Sequence, residues 1–551
     1  MDNRMSRQQI PCDDVSLTRR HLLGSGVAVS AAFVAGCTGA EDPDDPDEDP
    51  DADPVDAEAP EQLNFTQQVA PIEWDPIVLN DAYSTQITQT IYDGLYEYEP
   101  GTLDPQPKLA ADEPEIEDDG ETFIVELREE PEFHNGDPVT AEDVVHTFLA
   151  PVEEETDNMP DVDMIEDAQE IDEHTVEFTL EFPYAGFETI VLPSSIVNAE
   201  VRQEDRDAYN FENPIGSGPY QFVDWEDGEF VDVELWDDYW DEPSQVPEIR
   251  YEPAEDDAGR VARILAEETH VMEGIPPQDW DAIEAEGGIG IESVESTGYL
   301  YMAFNCQGGP TEDPDVRRAI AHCHSAQAFV EDIFGEAAEW TNMSVAPATA
   351  EEFNMPDPDH FRDQAYEFDP DTAKELLDDS DAIDDGEELN IIVPPDDIRQ
   401  NWAELIADRL NEIEYGASVQ RLDWDVFTDS YTSGDPDEFN IYALGWTGGA
   451  DPDVYFYQLF HEDNEGITQG HFYDNPEFHE QISEARQTFD SDERGEMYTE
   501  IQETIIEDCV HIPGWTDLNA VAYVEDAVEG LIASTSTSTN PHLDYPGLAL
   551  R

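Results

Sequence analysis

The chain has 551 residues, of which 136 are acidic and 21 are basic, so its formal net charge is −115. A charge of this size often indicates disorder, but 39% hydrophobic residues and 10 tryptophans are enough to build a core. Direct nucleic-acid binding is disfavoured, because the sequence has no basic stripe that could displace counterions from phosphates. Five cysteines are too few for a disulfide scaffold in a chain of this length.

Arginine strongly outnumbers lysine among the basic residues, since only Lys108 and Lys374 are lysines. Few lysines beside many acids are typical of a protein surface adapted to near-saturated salt. In such brine the Debye length is about 3 Å or less, so surface carboxylates repel one another only near contact. We therefore interpret most of the charge as a solvated coat rather than as a binding signal. The length allows about three or four domains or lobes.

The N-terminal segment is predicted to be an export signal. Arg19 and Arg20 precede the apolar run LLGSGVAVSAAFVAG at residues 22–36, which resembles a twin-arginine signal. The run is shorter than the roughly 20 apolar residues of a membrane span. It ends at Cys37, in a pattern that resembles a lipobox whose cysteine is lipidated, so residues 1–37 form the predicted lipoprotein signal. The alternative is a small apolar residue in a discarded peptide.

Residues 38–60 are dominated by aspartate, glutamate and proline. Proline stiffness and mutual repulsion of the acids predict a disordered, extended linker. The expected product is a globular body tethered outside the cell membrane.

From residue 61 onward, strand-like apolar runs alternate with amphipathic helical patterns, which favours an α/β architecture. Alternating hydrophobic residues predict strands at 121–129 and 174–182, and buried strands are expected at 390–394 and 439–446. A helix is predicted over 314–334, beginning at Pro314 after a capping Asp313, and a second helical stripe follows at 402–413.

Catalytic motifs are weak. His461 and Glu462 are followed by DNEG rather than by the second histidine of a zinc protease helix. Ser217 in IGSGP lacks the strand–turn–helix setting of a nucleophile elbow and is better explained by a tight turn. His322 and His324 flank Cys323, but residues two apart point to different sides of a helix, so a helical surface is the favoured interpretation.

Other candidate modifications stay open. Cys306 and Cys323 could pair or remain free thiols, and the redox state of Cys509 is equally open. Asn64 and Asn342 lie in sequons, which is weak evidence for surface glycosylation of an exported protein.

Residues 92–148 resemble the extracellular solute-binding proteins of family 5, the dipeptide, oligopeptide and nickel class of ABC importers. Further matching blocks follow in the family's order through the body of the chain: NPIGSGPYQFVDW at 213–225, DDYW at 237–240, TGYLYMAFNC at 297–306, DPDVRRAI at 313–320, FDPDTAKELL at 368–377 and ALGWTGGADPD at 443–453. The resemblance covers residues 61 to 540.

The resemblance implies a type II periplasmic-binding-protein fold, with two hinged lobes and an extra small domain. Lobe I would comprise residues 61–90, 215–298 and 512–551, the extra domain 91–214, and lobe II 299–511. It also implies a monomer without a cofactor that delivers its solute to ABC permease subunits and their ATPase subunits.

Peptide-binding relatives use an acidic residue after the Gly-Trp block to neutralise the ligand's amino terminus, and this chain has Gly449 at that position. Asp451 could substitute after a loop shift, although its place before Pro452 also fits a structural turn. Some dipeptide-binding relatives pair the ligand carboxylate with an arginine, and Arg399 lies near the corresponding spacing. A surface salt bridge is the alternative for Arg399.

Aromatic walls are expected in such a cleft. Trp446, at the end of a predicted buried strand, is the best candidate, with Tyr442 and Tyr92 behind it; core packing is the alternative for all three. Ser325 and Ala326 replace the Asp and Arg that the family usually has there, which bears on local packing.

The expected function is capture of peptides or peptide-like solutes for transmembrane uptake. A nickel or metallophore carrier is an alternative, suggested by family kinship and by five histidines whose spacing defines no metal site: His322, His324, His461, His471 and His479. An oligosaccharide-binding member of the family is another alternative. An exported hydrolase would be a different class, but no catalytic triad is evident and the chain is not expected to be an enzyme.

Overall fold

The α/β pattern is present in the structure, a computed structural model that describes residues 60–361, 366–383, 387–536 and 540–551. Its strands are β1 (Gln62–Gln67), β2 (Tyr96–Tyr98), β3 (Pro105–Pro107), β4 (Glu115–Glu117), β5 (Thr122–Glu126), β6 (Ile165–Asp172), β7 (Thr175–Leu180), β8 (Tyr220–Glu226), β9 (Phe230–Leu235), β10 (Glu248–Pro253), β11 (Val271–Glu273), β12 (Ile289–Glu295), β13 (Gly298–Phe304), β14 (Ala338–Trp340), β15 (Glu388–Val393), β16 (Gly416–Arg421), β17 (Ile441–Thr447), β18 (His511–Val524), β19 (Val528–Glu529) and β20 (Ala549–Leu550).

The α-helices alternate with these strands along the chain. They are α1 (Ala82–Ile91), α2 (Ala141–Glu154), α3 (Ala199–Glu204), α4 (Arg206–Phe211), α5 (Asp257–Leu265), α6 (Trp280–Glu284), α7 (Pro314–Ala321), α8 (Ala326–Ile333), α9 (Pro347–Glu352), α10 (Pro358–Phe361), α11 (Pro370–Asp379), α12 (Asp397–Glu412), α13 (Trp424–Ser433), α14 (Asp453–Phe460), α15 (Pro476–Ala485) and α16 (Ser491–Glu507). The predicted strands at 121–129, 174–182, 390–394 and 439–446 correspond to β5, β7, β15 and β17.

One predicted helix is wrong in its length. The pattern at 314–334 forms two helices, α7 and α8, rather than one. Ser325 has extended backbone, and its hydroxyl accepts a hydrogen bond from the backbone nitrogen of Ala328, so it begins a new helix. The break places His322 at the end of α7 and buries His324, which is 5% exposed. The interpretation of 322–324 as a helical surface is therefore wrong for His324.

The main sheet has 12 strands and is centred on β18, the longest strand described. Its order is β16-β15-β17-β13-β18-β11-β1-β10-β9-β8, and β12 and β14 also pair with β18. The beginning of β18 pairs with β13, from Ala303 opposite His511 to Leu300 opposite Trp515. Its end pairs with β11 and β12. One strand therefore connects two groups of strands.

The apolar cores follow the same division. One core packs around β1, β9 and β10, and two others surround β13, β15 and β17. A separate four-stranded sheet, β4-β5-β7-β6, packs with α2 over its own core. The capping box of α2 pairs Thr140 with Asp143.

The described residues lie within one compact unit, Glu58–Arg551. The signal and nearly all of the linker fall outside the described residues. Within those residues, no helix is both long and apolar enough to cross a membrane. Cys306, Cys323 and Cys509 are free thiols, and Asn342 is 6% exposed, so its sequon is not on the surface.

Candidate functional site

A cavity of about 440 Å³ lies beside the middle of β18. Residues 517–521 of that strand form part of its lining. One wall comes from the β1, α1 and β11 side and the other from the α8 and α12 side: Gln68, Tyr83, Gln86 and Glu273 against Phe334, Ala337 and Ile398. The volume is within the usual range of about 300–1,000 Å³ for small-molecule sites. The walls come from segments that the sequence assigns to different lobes.

Arg399 lies in the first turn of α12, directly after the wall residue Ile398. Its backbone nitrogen donates to the Asp396 carboxylate at 2.6 Å, which fixes the start of the helix. Its Nε is buried without a hydrogen-bond partner in the protein. A Cβ added to Gly445 would lie 3.0 Å from Nη2, so glycine at that position leaves room for the guanidinium. Arg399 forms no salt bridge among the described residues, so the alternative of a surface salt bridge does not describe it.

Asp517 is the acidic group of the β18 segment that lines the cavity. Its side chain is accessible within the cavity but is surrounded by protein on most sides. Burial raises the pKa of its carboxyl to about 6, against the opposing charge of Arg399. Burial also lowers the pKa of Arg399, while Asp396 and Asp517 oppose that effect. The two side chains therefore form one electrostatically coupled group.

Glu273 is the acidic group of the opposite wall. Its carboxylate accepts hydrogen bonds from the backbone nitrogen of Gln68 and from Nε2 of Gln86, both at 2.8 Å. Burial raises the pKa of Glu273 to about 7, and these two bonds and Arg260 act in the other direction. The cavity thus has Glu273 on one wall. Behind the other wall lies Arg399, whose Nε has no hydrogen-bond partner in the protein.

Trp446 is at the end of β17 and is partly buried against the core. Its indole nitrogen donates to the carbonyl of Val454 at 2.7 Å, so the polar edge of the ring is already used. Gly449 follows in the next turn, and a Cβ there would meet only Val454, at 3.8 Å. Packing within the protein therefore does not exclude an acidic side chain at Gly449.

Asp451 is 0% exposed and is not available to a ligand in this structure. Arg494 binds both of its carboxylate oxygens, at 2.8 and 2.7 Å. Asp451 also accepts from the backbone nitrogen of Asp453 and from the hydroxyl of Thr189. These contacts match the structural-turn alternative rather than the replacement of the missing anchor.

Tyr442 and Tyr92 lie in the core rather than at a cleft wall. Tyr442 is 0% exposed, stacks on Tyr431 with ring centroids 4.8 Å apart, and accepts a hydrogen bond from the backbone nitrogen of Gly470. Tyr92 is 2% exposed and packs against Tyr209. Both placements correspond to the core-packing alternative.

The histidines do not converge on a metal centre. Among the described residues, no group of three or more His, Cys, Asp or Glu side chains could hold a metal ion. His461 contacts the Ser483 hydroxyl, His479 contacts the carbonyl of Tyr473, and His471 contacts the ring of His511. These contacts are internal to the fold.

Ser217 is 0% exposed, and its hydroxyl accepts from the backbone nitrogen of Asp93 at 3.4 Å. A Cβ on Gly216 would lie 1.9 Å from the carbonyl oxygen of Ile91, so the turn packs directly on α1. The IGSGP motif is therefore a packing element.

Sequence reasoning missed Gln86, Glu273 and Asp517. Each is an ordinary polar residue within an element, and none lies in a recognisable motif. The only local signal is polarity at positions that a buried element would make apolar, such as Gln86 in α1, which is 2% exposed.

Comparison with known proteins identifies the family. The sequence model for bacterial extracellular solute-binding proteins, family 5, matches residues 104–466, which is more than half of the chain. The chain belongs to this family. It is 23% identical to the oligopeptide-binding protein AppA of Bacillus subtilis (strain 168), over 79% of this chain and 83% of that protein. It is 24% identical to the dipeptide-binding protein of Escherichia coli (strain K12), over 75% and 81%.

The fold agrees with this assignment. The structure of HbpA2 from Haemophilus parasuis superposes with a TM-score of 0.77 at 22% identity, covering 89% of this family 5 chain and 100% of that one.

Proposed function

We propose that this family 5 protein captures peptides or peptide-like solutes outside the cell and presents them to an ABC permease with its ATPase subunits. The observation that carries the proposal is the 440 Å³ cavity, with Glu273 on one wall and Arg399, whose Nε has no partner in the protein, behind the other. A short peptide carries an amino group and a carboxylate, which these two charges complement. The relatives that are named for oligopeptides and dipeptides support the same class.

The ligand carboxylate is assigned to Arg399, because a guanidinium binds a carboxylate with directed, charge-assisted hydrogen bonds. The amino group is assigned to Glu273 in place of the acid that is absent at Gly449. Above a pH of about 7 Glu273 is ionised and can pair with an ammonium group. Binding without chemical conversion is part of the proposal, since Ser217 has a packing role.

Closure over the ligand would bend the chain where β12 leads into β13 and where β18 passes between its two groups of partners. Thr516 holds these crossovers together, donating its hydroxyl hydrogen towards the carbonyls of Ser296 and Gly298, at 3.2 and 2.7 Å. The backbone nitrogen of Ser296 donates to the carbonyl of Asp517 at 3.2 Å. The proposed lobes are the sequence-derived segments 61–90, 215–298 and 512–551 on one side and 299–511 on the other, with 91–214 as the extra domain. Ligand favours closure only through contacts that the open form lacks.

The cell-surface location is also a proposal. Arg19 and Arg20 would direct export by the twin-arginine route, and lipidated Cys37 would anchor the protein through the acidic linker. Changing both arginines to lysine is expected to retain the precursor in the cytoplasm. Cys37→Ser is expected to release folded protein into the medium. Normal export of the first variant or full membrane retention of the second would contradict the proposal.

Mass spectrometry of ligand that copurifies from native membranes in molar salt tests the peptide class directly. Calorimetry then compares peptides of two to six residues with the same peptides carrying a C-terminal amide. We expect the free-carboxylate forms to bind at least about tenfold more tightly, which corresponds to about 1.4 kcal/mol. No heat and no thermal shift with any peptide would remove peptides from consideration.

A further inference from the structure

A second cavity, of about 250 Å³, lies between the α7–α8 turn, the end of β14 and the beginning of β18. Among the described residues it shares no lining residue with the 440 Å³ cavity. We refer to it as the β14 cavity.

The floor of the β14 cavity carries two buried side chains with unused hydrogen-bonding groups. His324 is 5% exposed, and neither ring nitrogen has a partner in the protein. Asn342 is 6% exposed, and both Oδ1 and Nδ2 are likewise unpartnered. Buried polar atoms are nearly always hydrogen-bonded, because an unpaired one loses its hydration without compensation. Both residues belong to the lining of one cavity, which points to a partner that enters from outside the protein.

The neighbouring polar groups do not provide that partner. His511 also lines the cavity, but its ring nitrogens already contact the Ser344 hydroxyl at 2.9 Å and the His471 ring at 3.3 Å. The hydroxyl of Tyr366 donates to the carbonyl of Ile506 at 2.9 Å. The hydroxyl of Thr341 accepts from the backbone nitrogen of Met343. His324 and Asn342 are therefore the buried lining residues whose polar side-chain atoms have no partner in the protein.

The β14 cavity has a solvent-exposed entrance and partly aromatic walls. Gln327, Glu367 and Phe368 line the cavity and are exposed, whereas the floor is buried. Trp340 and Tyr366 supply aromatic surface, and the His324 ring is held by stacking on Trp402, 5.7 Å away and 15° from parallel. The fold therefore fixes the His324 ring in place before any ligand arrives.

We infer that the β14 cavity binds a small uncharged molecule with both donor and acceptor groups beside an apolar face, the chemistry of polyols and amides. Asn342 offers two N–H donors and one acceptor oxygen, and a neutral imidazole offers one donor and one acceptor. His324 is neutral because burial lowers its pKa to about 4. No charged side chain lines the floor among the described residues, so an ion would lose its hydration there without an opposite charge.

The test uses the full-length protein with glycerol, acetamide and nicotinamide as probes, in ligand-observed NMR titrations and in crystals soaked with each probe. We expect at least one probe to saturate and to contact His324 and Asn342 in the crystal. Asn342→Leu and His324→Phe should each weaken its binding by at least about tenfold. Glu255→Gln, at an exposed residue that lines neither cavity, should leave probe binding unchanged.

A substitution at a buried asparagine whose side chain is hydrogen-bonded serves as the control for folding. Asn305 donates to the carbonyl of Gly434 at 3.0 Å and accepts from the backbone nitrogen of Gln307, so Asn305→Leu should lower the thermal midpoint. Without probe, Asn342→Leu and His324→Phe should leave the midpoint unchanged or raise it, because they remove unpaired polar atoms. Ordered water alone in the cavity at saturating probe would overturn the inference, and so would undiminished probe binding in both variants.

Discussion

Arg494 binds Asp451 through two nearly equal contacts, from Nη1 to Oδ2 at 2.8 Å and from Nη2 to Oδ1 at 2.7 Å. Arg494 is 3% exposed, and Asp451 is not exposed at all. Thr189, in the segment assigned to the extra domain, donates to the same carboxylate at 3.2 Å. Asp451 therefore joins the turn after β17 to α16 and to Thr189, which is a structural role.

Breaking this pair should destabilise the protein without removing ligand binding. Asp451→Asn removes the carboxylate charge that Arg494 binds, and breaking a buried pair in this way typically costs about 3–5 kcal/mol. Chemical denaturation in molar salt measures the loss, with Asp397→Asn as the control. Asp397 pairs with Arg421 but its side chain is 84% exposed, so its loss should cost about 1 kcal/mol or less. Lost peptide affinity at unchanged stability would instead make Asp451 a ligand anchor.

Replacing Arg399 should have the opposite result. Its Nε is unpartnered and it forms no described salt bridge, so Arg399→Leu should lower the free energy of unfolding much less than Asp451→Asn does. Peptide affinity should fall by about 1.5–3 kcal/mol, the usual value of a hydrogen bond to a charged group, and only for peptides with a free carboxylate. Arg409→Leu is the matched control on the same helix, since Arg409 pairs with Glu412 at the surface. Equal binding of amidated and free peptides by both variants would contradict the assignment.

The sequence predicts the elements well because their signals are local. Alternating hydrophobic residues predict β5 and β7, and Asp313 followed by Pro314 predicts the beginning of α7. The single helix expected at 314–334 failed because the apolar spacing continues through a break that Ser325 makes by capping α8. Local propensity at one residue outweighed the periodicity of the segment.

The site is less predictable because its walls meet only after folding. Gln68, Glu273 and Asp517 are far apart in the sequence, yet all three line one cavity. Family resemblance selected Arg399, which lies beside that cavity, but could not show that Tyr442 and Tyr92 are enclosed by neighbouring rings. Aromatic residue type does not distinguish a cleft wall from a core.

The pKa of Glu273 predicts a specific pH dependence of stability. Its folded pKa of about 7 lies above the ordinary value of about 4.3, so the folded state binds more protons than the unfolded state between these values. The contribution of Glu273 is therefore most favourable below about pH 4.3 and is lost as the pH rises towards 7. Glu273→Gln should gain about 1–3 kcal/mol relative to the wild type between pH 4.5 and 7.5.

Comparing the two proteins across pH separates this effect from other acids that also titrate, including Asp93 with a pKa of about 7 and Asp517 with a pKa of about 6. A hydrogen bond lost in the glutamine variant shifts its stability equally at every pH, so only the slope of the difference matters. Exposed Glu255→Gln controls for the effect of the substitution itself. If the stability difference between Glu273→Gln and the wild type did not change with pH, the pKa of Glu273 would lie near its ordinary value.

The net charge of −115 predicts that folding depends on salt, because 136 acids cannot find partners among 21 basic residues. At 0.1 M salt the Debye length is about 10 Å and acids on neighbouring elements repel, whereas at 1 M it is about 3 Å. We expect the thermal midpoint to rise by about 10 °C or more between 0.1 and 3 M KCl through this screening. Sucrose at matched osmolality separates screening from solute exclusion, since sucrose is excluded from protein surfaces but carries no charge. Equal stabilisation by sucrose, or full stability at 0.1 M salt, would show that screening of the acidic side chains does not determine the stability of this protein.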